Sequence, residues 1–410
     1  MARQLVVLLD GTGNRIGIQP SNITRMLPLL DQHPDRLLCH YDQGVGTFGK
    51  PGVLFEWQNL PARLLGLAFG WGTRITVERA YRFLCEHYRQ GDVIYLFGFS
   101  RGAYAARLLA AVVHRFELLP PQHLNQFPHA WNALAHRIGG FPRMGWIKQA
   151  FAGRPASIRS LGLYATVNST GWISNPFNVP NTVNNPCVEQ VRHALSLDER
   201  RSLFTPLLWG QADNAVYCPH ATVQPVWFAG VHSNVGGGYA MDEAGLASCA
   251  LDWMLGEACA LGLQLDPGRC QAFIAKHRNR PDPVAPAHRS DGGLWRLSEW
   301  LPRRRWNPSR KSMAWQLGHC TPWRNGQRVV PTRPWVHVSV QLRQDHDRDY
   351  QAGLAQLAPQ WVRSRDWGLA PAPTQDGTID QPALACTRPC PGKHGRAADS
   401  CGQDARAVAP

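Results

Sequence analysis

Long apolar runs are missing from this sequence, and even the helix expected after Ser100 is interrupted by Arg107. No basic leader with an apolar middle and a cleavage site precedes the strand-like run Leu5–Leu9. We therefore expect no signal peptide and no transmembrane helix, with synthesis in the cytoplasm as a soluble product. The sequence also lacks internal repeats and any nucleic-acid-binding motif, so nucleic acid is not an expected partner.

Acidic residues are scarce: 29 Asp and Glu stand against 43 Lys and Arg, which gives a net charge of +14. This imbalance favours anionic partners, such as phospholipid head groups or an acidic protein. Charged residues make up only 18% of the 410 residues, while 44% are hydrophobic. The chain can therefore bury a large core.

The eleven cysteines are odd in number and spread along the chain, which is typical of reduced thiols in a core. Cys386, Cys390 and Cys401, with His394 between them, offer zinc ligands in principle. Their spacing matches no common zinc module, so we predict neither a metal nor a cofactor.

The most informative stretch is Gly91–Tyr104, in which a strand-like apolar run meets Gly98-x-Ser100-x-Gly102 and continues with helical spacing. A strand, a sharp turn and a helix in this order are the context of a nucleophile elbow, which lifts a serine hydroxyl above the sheet edge. Ser100 is thus the predicted nucleophile. The backbone N–H of Arg101, at the start of the helix, would help to hold an oxyanion.

Strands alternate with helices along the first part of the chain, which predicts an α/β fold with a mostly parallel sheet. The first strand leads into Asp10-Gly11-Thr12-Gly13-Asn14 at the sheet edge where such folds bind ligands. An N–H of Gly11 or Thr12 is a candidate second oxyanion donor. A tight turn, in which Asp10 and Asn14 only cap the backbone, explains the same residues.

His232 is the candidate base. It follows the strand-like run Val223–Ala229 and precedes three glycines, so its ring is expected to project into open space. A serine needs a base to become a nucleophile, and the order of serine before histidine is that of an α/β-hydrolase. A glycine-loop histidine without chemistry is the alternative.

The remaining segments carry weaker signals. Residues 114–156 are typical of a lid insertion or of an ordinary surface excursion. Apolar spacing through Val188, Val191, Leu195 and Leu197 predicts a helix, and the alternation over Trp335–Leu342 predicts a strand. Domain organisation is expected as a catalytic domain at 1–262, a basic Trp- and Arg-rich cap or sheet extension at 263–345, a C-terminal segment at 346–370 and a disordered tail at 371–410.

Six motifs together resemble the catalytic domain of bacterial type VI secretion lipase effectors, the Tle-like α/β-hydrolases. The resemblance covers roughly residues 3 to 262 and lies in Leu9–Asn14, Tyr41–Thr47, Ala80–Leu84, Tyr95–Ala103, Ala194–Arg201 and Trp227–Tyr239. It implies a phospholipase in which a Ser–Asp–His triad cleaves acyl esters, with Ser100 as nucleophile and His232 as base. It also implies phospholipid or another acyl ester as substrate, contact with a membrane surface, and a secretion-apparatus or immunity protein as partner.

Two carboxylates of the family pattern are absent. An aspartate of the family's strand-end motif is Ala165 here, and the family motif H-S-D-V-G-G has Asn234 at its third position. Loss of the triad acid can cost about 10⁴ in rate. Three explanations remain open. The site is a slow Ser–His dyad whose ring is oriented by Asn234 or by a backbone carbonyl, or another acid such as Asp213, Asp242 or Glu243 completes it from a nearby loop. The third is an impaired fold that binds lipid or protein without turnover.

Overall fold

The computed structural model describes most of residues 1–262 and parts of the remaining chain. The described residues are 2–11, 19–44, 62–136, 140–167, 171–172, 175–176, 179–201, 204–210, 222–290, 303–307, 312–316, 323–324, 327–328, 330–350, 353–354 and 357–368. The expected tail, the cysteine and histidine cluster within it, Thr12 and Asp213 lie outside this part of the chain.

Fourteen strands are described. In chain order they are β1 (Gln4–Leu9), β2 (Leu37–Asp42), β3 (Val93–Phe99), β4 (Ile158–Tyr164), β5 (Gly171–Trp172), β6 (Asn175–Pro176), β7 (Gln190–Ser196), β8 (Thr222–Phe228), β9 (Arg303–Asn307), β10 (Ser312–Gln316), β11 (Trp323–Arg324), β12 (Gln327–Arg328), β13 (Trp335–His337) and β14 (Gln360–Val362).

Eight of these strands form one sheet in the order β14–β13–β8–β7–β4–β3–β1–β2. Every pairing in this sheet is parallel. The three remaining strand pairs, β5–β6, β9–β10 and β11–β12, are small antiparallel units. The predicted α/β class with a mainly parallel sheet is confirmed.

Helices cover both faces of the sheet. They are α1 (Asn22–Met26), α2 (Ala62–His87), α3 (Arg101–Phe116), α4 (Phe127–His136), α5 (Gly140–Ala150), α6 (His232–Gly236), α7 (Gly245–Ala260), α8 (Pro267–Ala275) and a further helix at Val338–His346. In β1, Leu5, Val7 and Leu9 face one core with α2 to α5, and Val6 and Leu8 face a second core with α1 and α7. Burial on both faces explains the uninterrupted apolar run of this strand.

The helix predicted through Val188 and Leu197 is wrong, because Gln190–Ser196 is strand β7. This strand lies between β4 and β8 and is buried on both faces, which removes the alternation that normally marks a strand. The strand predicted over Trp335–Leu342 stops at His337. There the His337 side chain accepts a hydrogen bond from the N–H of Ser339 and caps a helix.

The segment 114–156 packs against the core instead of standing apart from it. Phe127, Trp131 and Ile147 are buried with the residues of α3. A lid function for this segment stays a prediction. Further along the chain, β13 and β14 extend the main sheet beyond β8. The division of the chain into domains stays a prediction.

Six described cysteines are free thiols: Cys39, Cys85, Cys187, Cys249, Cys259 and Cys270. Burial raises the pKa of Cys39 and Cys85 to about 12, so these thiols stay protonated at neutral pH.

In the part of the chain that the structure describes, no helix combines the length and apolar character needed to cross a bilayer.

Asp252 of α7 gives the core a pH-dependent stability. Its Oδ1 accepts a hydrogen bond from Trp367 Nε1 at 3.1 Å, and burial raises its pKa from 3.8 to about 6. The folded state therefore favours the protonated acid, and stability is lost as pH rises from about 4 through 6.

We expect Asp252→Asn to remove this loss and to raise the free energy of unfolding at pH 7 by about 1–3 kcal/mol, with little change at pH 4. Urea unfolding at both pH values measures the effect. Gly145→Ala, which changes no titratable group and has open space around the new methyl, is the control and should keep the pH dependence of wild type. An unchanged pH dependence in Asp252→Asn would contradict the assignment.

Candidate active site

Ser100 has the strained backbone of a nucleophile elbow. Its φ of 56° and ψ of −117° lie in a region that non-glycine residues rarely occupy. A Cβ on Gly98 would lie 2.5 Å from the carbonyl oxygen of Gly102 and 2.6 Å from Cα of Ala103. Gly98 therefore allows the start of α3 to fold back tightly over the end of β3, as a nucleophile elbow requires.

The loop after β1 lies against this elbow. A Cβ on Gly102 would collide with the carbonyl oxygens of Leu9 and Asp10, so the two backbones touch. The N–H of Gly11 donates to Asp10 Oδ1 at 2.6 Å, and Asp10 Oδ2 accepts from the Ser21 hydroxyl at 2.8 Å. The buried Asp10 thus holds the loop in place. It already accepts from the N–H of Gly11, one of the two N–H groups predicted as the second oxyanion donor.

His232 lies beside the elbow at the same sheet edge. Its ring centroid is 4.9 Å from that of Phe99, the residue before Ser100, and 4.7 Å from that of Phe204. Ser100 is 9% exposed and His232 is 5% exposed. The fold therefore places the ring of His232 against the residue that precedes Ser100 in the chain.

Glycines after His232 connect its loop to the N-terminal unit. A Cβ on Gly236 would enter the ring of Phe99, and one on Gly237 would lie 2.7 Å from Cα of Ser21. The N–H of Gly238 donates to the carbonyl of Pro20 at 3.1 Å. Close packing of this loop on the ring of Phe99 and on the backbone of Ser21 explains why Gly236 and Gly237 lack side chains.

The candidate acids differ in their places. Asn234 is buried: its Oδ1 accepts from the N–H groups of Val231 and His288, and its amide donates to Nδ1 of His288 at 3.2 Å. Asn234 thus holds the backbone of the His232 loop. Asp242 is exposed, and Glu243 is exposed and contacts His288 Nε2 at 3.2 Å.

Ala165 stands at the carboxyl end of β4 and is buried with a φ of 41°. Its N–H donates to the carbonyl of Ala194 at 2.8 Å, which bridges β4 to β7. The N–H of Val167 donates to the carbonyl of Ser100 at 3.3 Å, so this turn supports the elbow. The position at which the resemblance expects an acid is therefore next to Ser100 but holds only a methyl group.

Sequence reasoning missed Glu199, which lies fully buried just after β7. Its Oε2 accepts the backbone N–H of His232 at 3.1 Å and Arg201 Nη2 at 2.8 Å. Its Oε1 accepts from the N–H and Nε of Arg201 and from the Ser290 hydroxyl. The signal was present, because Asp198-Glu199 falls between the serine and the histidine in the chain.

The environment of Glu199 keeps its carboxylate ionised. Burial alone would raise its pKa, but the hydrogen bonds and charge of Arg201, with His232 contributing, hold the pKa at about 2. Asp198 differs, because burial raises its pKa while its Oδ2 accepts from the N–H of Gly230 and the hydroxyl of Tyr350.

A family model for the catalytic domain of Tle1-like phospholipase effectors of the type VI secretion system matches residues 3–257, more than half of the chain. The chain belongs to this family. The Tle1-like match spans the elbow, Glu199 and the His232 loop, and it ends within α7.

One relative of this Tle1-like chain is a yeast protein of moderate sequence identity. An uncharacterized protein of Saccharomyces cerevisiae is 31% identical over 247 residues, which are 54% of this chain and 36% of that protein. The chain thus spans little more than a third of the yeast relative.

Among solved structures, an uncharacterized protein from Pseudomonas aeruginosa has a TM-score of 0.42 at 19% identity, covering 65% of this chain and 47% of its own. A Tle1 effector bound to the VgrG spike of the type VI secretion system has a TM-score of 0.31 at 22% identity, covering 60% of this chain and 53% of its own.

Gly98→Ala should collapse the elbow, because the added methyl would meet backbone atoms that cannot move aside. We expect a loss of about 2–4 kcal/mol in the free energy of unfolding. Gly145→Ala is the matched control: it lies in α5 with open space around the new methyl, so it should change stability by less than about 1 kcal/mol. Denaturant unfolding of wild type and of both variants measures these changes. If Gly98→Ala were as stable as wild type, the tight packing of the elbow would be refuted.

Proposed function

We propose that this chain is a serine hydrolase that cleaves the acyl esters of phospholipids, with Ser100 as nucleophile and His232 as base. The observation that carries the proposal is the strained Ser100 between two close-packed glycines, at the sheet edge where the His232 loop packs on Phe99. Membership of the Tle1-like phospholipase family supports the choice of substrate.

In the proposed reaction, the Ser100 hydroxyl attacks the ester carbonyl while its proton passes to the imidazole of His232. The N–H of Arg101 and that of Thr12 hold the negative oxygen of the tetrahedral intermediate, because the N–H of Gly11 already donates to Asp10. The imidazolium then returns the proton to the leaving alcohol as the carbon–oxygen bond breaks. Water, activated by His232, hydrolyses the acyl enzyme and restores Ser100.

The proposed setting follows from the same family. An effector of a type VI secretion system is delivered by that apparatus, so a secretion-apparatus protein is a proposed partner, and an immunity protein another. A net charge of +14 favours approach to the anionic surface of a membrane.

A second reading is a hydrolase fold that binds lipid or protein without turnover. Ala165, at the position of the family's acid, is the observation that favours it. The two readings differ in whether Ser100 is activated.

We expect a fluorophosphonate probe to label wild-type protein on Ser100 and the protein to release fatty acid from phospholipid vesicles. Ser100→Ala should abolish both, and His232→Gln should lower labelling at least 100-fold, since the base is lost. Ser157→Ala, at an exposed site before β4, is the matched control and should behave as wild type. Mass spectrometry of the labelled peptide and of the released acid gives both readouts.

Failure of labelling in a folded wild-type protein that still binds the vesicles would favour the binding reading. If the probe labels Ser100 but the protein hydrolyses only nitrophenyl esters, the serine hydrolase activity stands and phospholipid is withdrawn as its substrate.

A further inference from the structure

The order of strands places one buried carboxylate between the nucleophile and the base. From β3, which ends at Ser100, the sheet continues through β4 and β7 to β8. Ser196 at the end of β7 pairs in register with Phe228 at the end of β8. Glu199 and His232 follow these two ends and therefore meet at the same edge, although 33 positions separate them.

Contact between the two residues is direct. Glu199 Oε2 accepts the backbone N–H of His232 at 3.1 Å, and the charge of His232 favours the ionised carboxylate. On its other side the His232 ring meets Phe204, over which the Arg201 guanidinium lies at 3.6 Å from the ring centroid. Glu199 thus binds the backbone of His232, while Phe99 and Phe204 contact its ring.

We propose that Glu199 is the acid of this site, a positioning residue that orients the imidazole of His232 and stabilises its cation in place of the aspartate that Ala165 replaces. The inference rests on the proposed roles of Ser100 and His232. It explains how a chain without the family's acid keeps a fixed negative charge beside the base.

Asp198, the residue before Glu199, does not contact His232 in this way. Its carboxylate accepts from the N–H of Gly230 at 2.6 Å and from the hydroxyl of Tyr350 at 2.9 Å, so it anchors the start of the His232 loop. Asp198 therefore provides a matched control from the same strand end.

Other charges near Glu199 bear on any titration of His232. Among the described residues, Arg201 pairs with Glu199 at 2.8 Å, and Tyr239 interacts with both Arg201 and Glu199. Tyr239 also bonds Ser233 and interacts with Glu243, which contacts His288. Glu199 is the buried carboxylate of this group, so its removal should dominate the change at His232.

The primary test is the titration of His232 by NMR of the imidazole nitrogens, with the signal assigned by its loss in His232→Gln. In wild type we expect the neutral ring to carry its proton on Nδ1, the tautomer that leaves Nε2 free to accept from serine. Glu199→Gln should lower the pKa of His232 by about one unit or more, because a nearby negative charge is removed. Asp198→Asn should shift it by less than about 0.3.

Kinetics give the second readout. Glu199→Gln should lower kcat/KM on nitrophenyl esters by about 10²–10⁴-fold and move the acid limb of its pH profile with the imidazole pKa. Glu199→Asp, which keeps the charge, should restore most of the profile. Ala165→Asp alone should change kcat/KM by less than about 3-fold from wild type. Combined with Glu199→Gln, it should restore part of the lost kcat/KM.

Several outcomes overturn the proposal: an Nε2-protonated neutral ring in wild type, an unmoved His232 pKa in Glu199→Gln, or a large gain from Ala165→Asp alone. The tautomer of His232 is measured on wild-type protein, so it tests the proposal even if Glu199→Gln does not fold. If the pKa of His232 shifts in Glu199→Gln but wild-type protein neither reacts with the fluorophosphonate probe nor hydrolyses esters, the interaction between Glu199 and His232 is kept. The proposed hydrolase function is then rejected.

Discussion

Because every pairing in the eight-stranded sheet is parallel, all of its strands end at one edge, and their loops must share that space. Asp10, Ser100, Ala165, Glu199 and His232 each follow a different strand, yet they lie within one cluster of loops. The sheet achieves this with two buried faces, so that the strands hold the edge rigid while the loops carry polar chemistry. The candidate site depends on this shared edge.

Buried charges are the second constraint, and each is compensated in its own way. Arg192 donates to Glu257 at 2.6 Å, and Arg365 donates to the other oxygen of the same carboxylate. Arg107 of α3 donates instead to the carbonyls of Thr182 and Leu207, and burial lowers its pKa to about 9. Charges inside this fold thus tie distant loops to the sheet, at a desolvation cost that the partners of Arg107 offset only in part.

Much of the fold could be predicted from the sequence. The strand–turn–helix pattern around Ser100 and the placement of His232 after a strand depend on neighbours in the chain, and both were found. The error at β7 has a physical cause: a strand buried on both faces loses its alternation, and Val188, Val191 and Leu195 then mimic a helical face. Only pairing with β4 and β8 distinguishes the two.

The sequence by itself determined the turn of the elbow, because Gly98 acts through contacts with Gly102 and Ala103, its close neighbours in the chain. The need for glycine at position 102 comes from the tertiary structure, which places the loop after β1 against it. It also determined that the family's acid is absent, since Ala165 is read directly from the chain. Only the tertiary structure decided which carboxylate meets His232. Asp198 and Glu199 are neighbours in the chain, but they diverge to different partners where β7 lies beside β8. That choice depends on the register between two strands far apart in sequence, and local spacing carries no information about it.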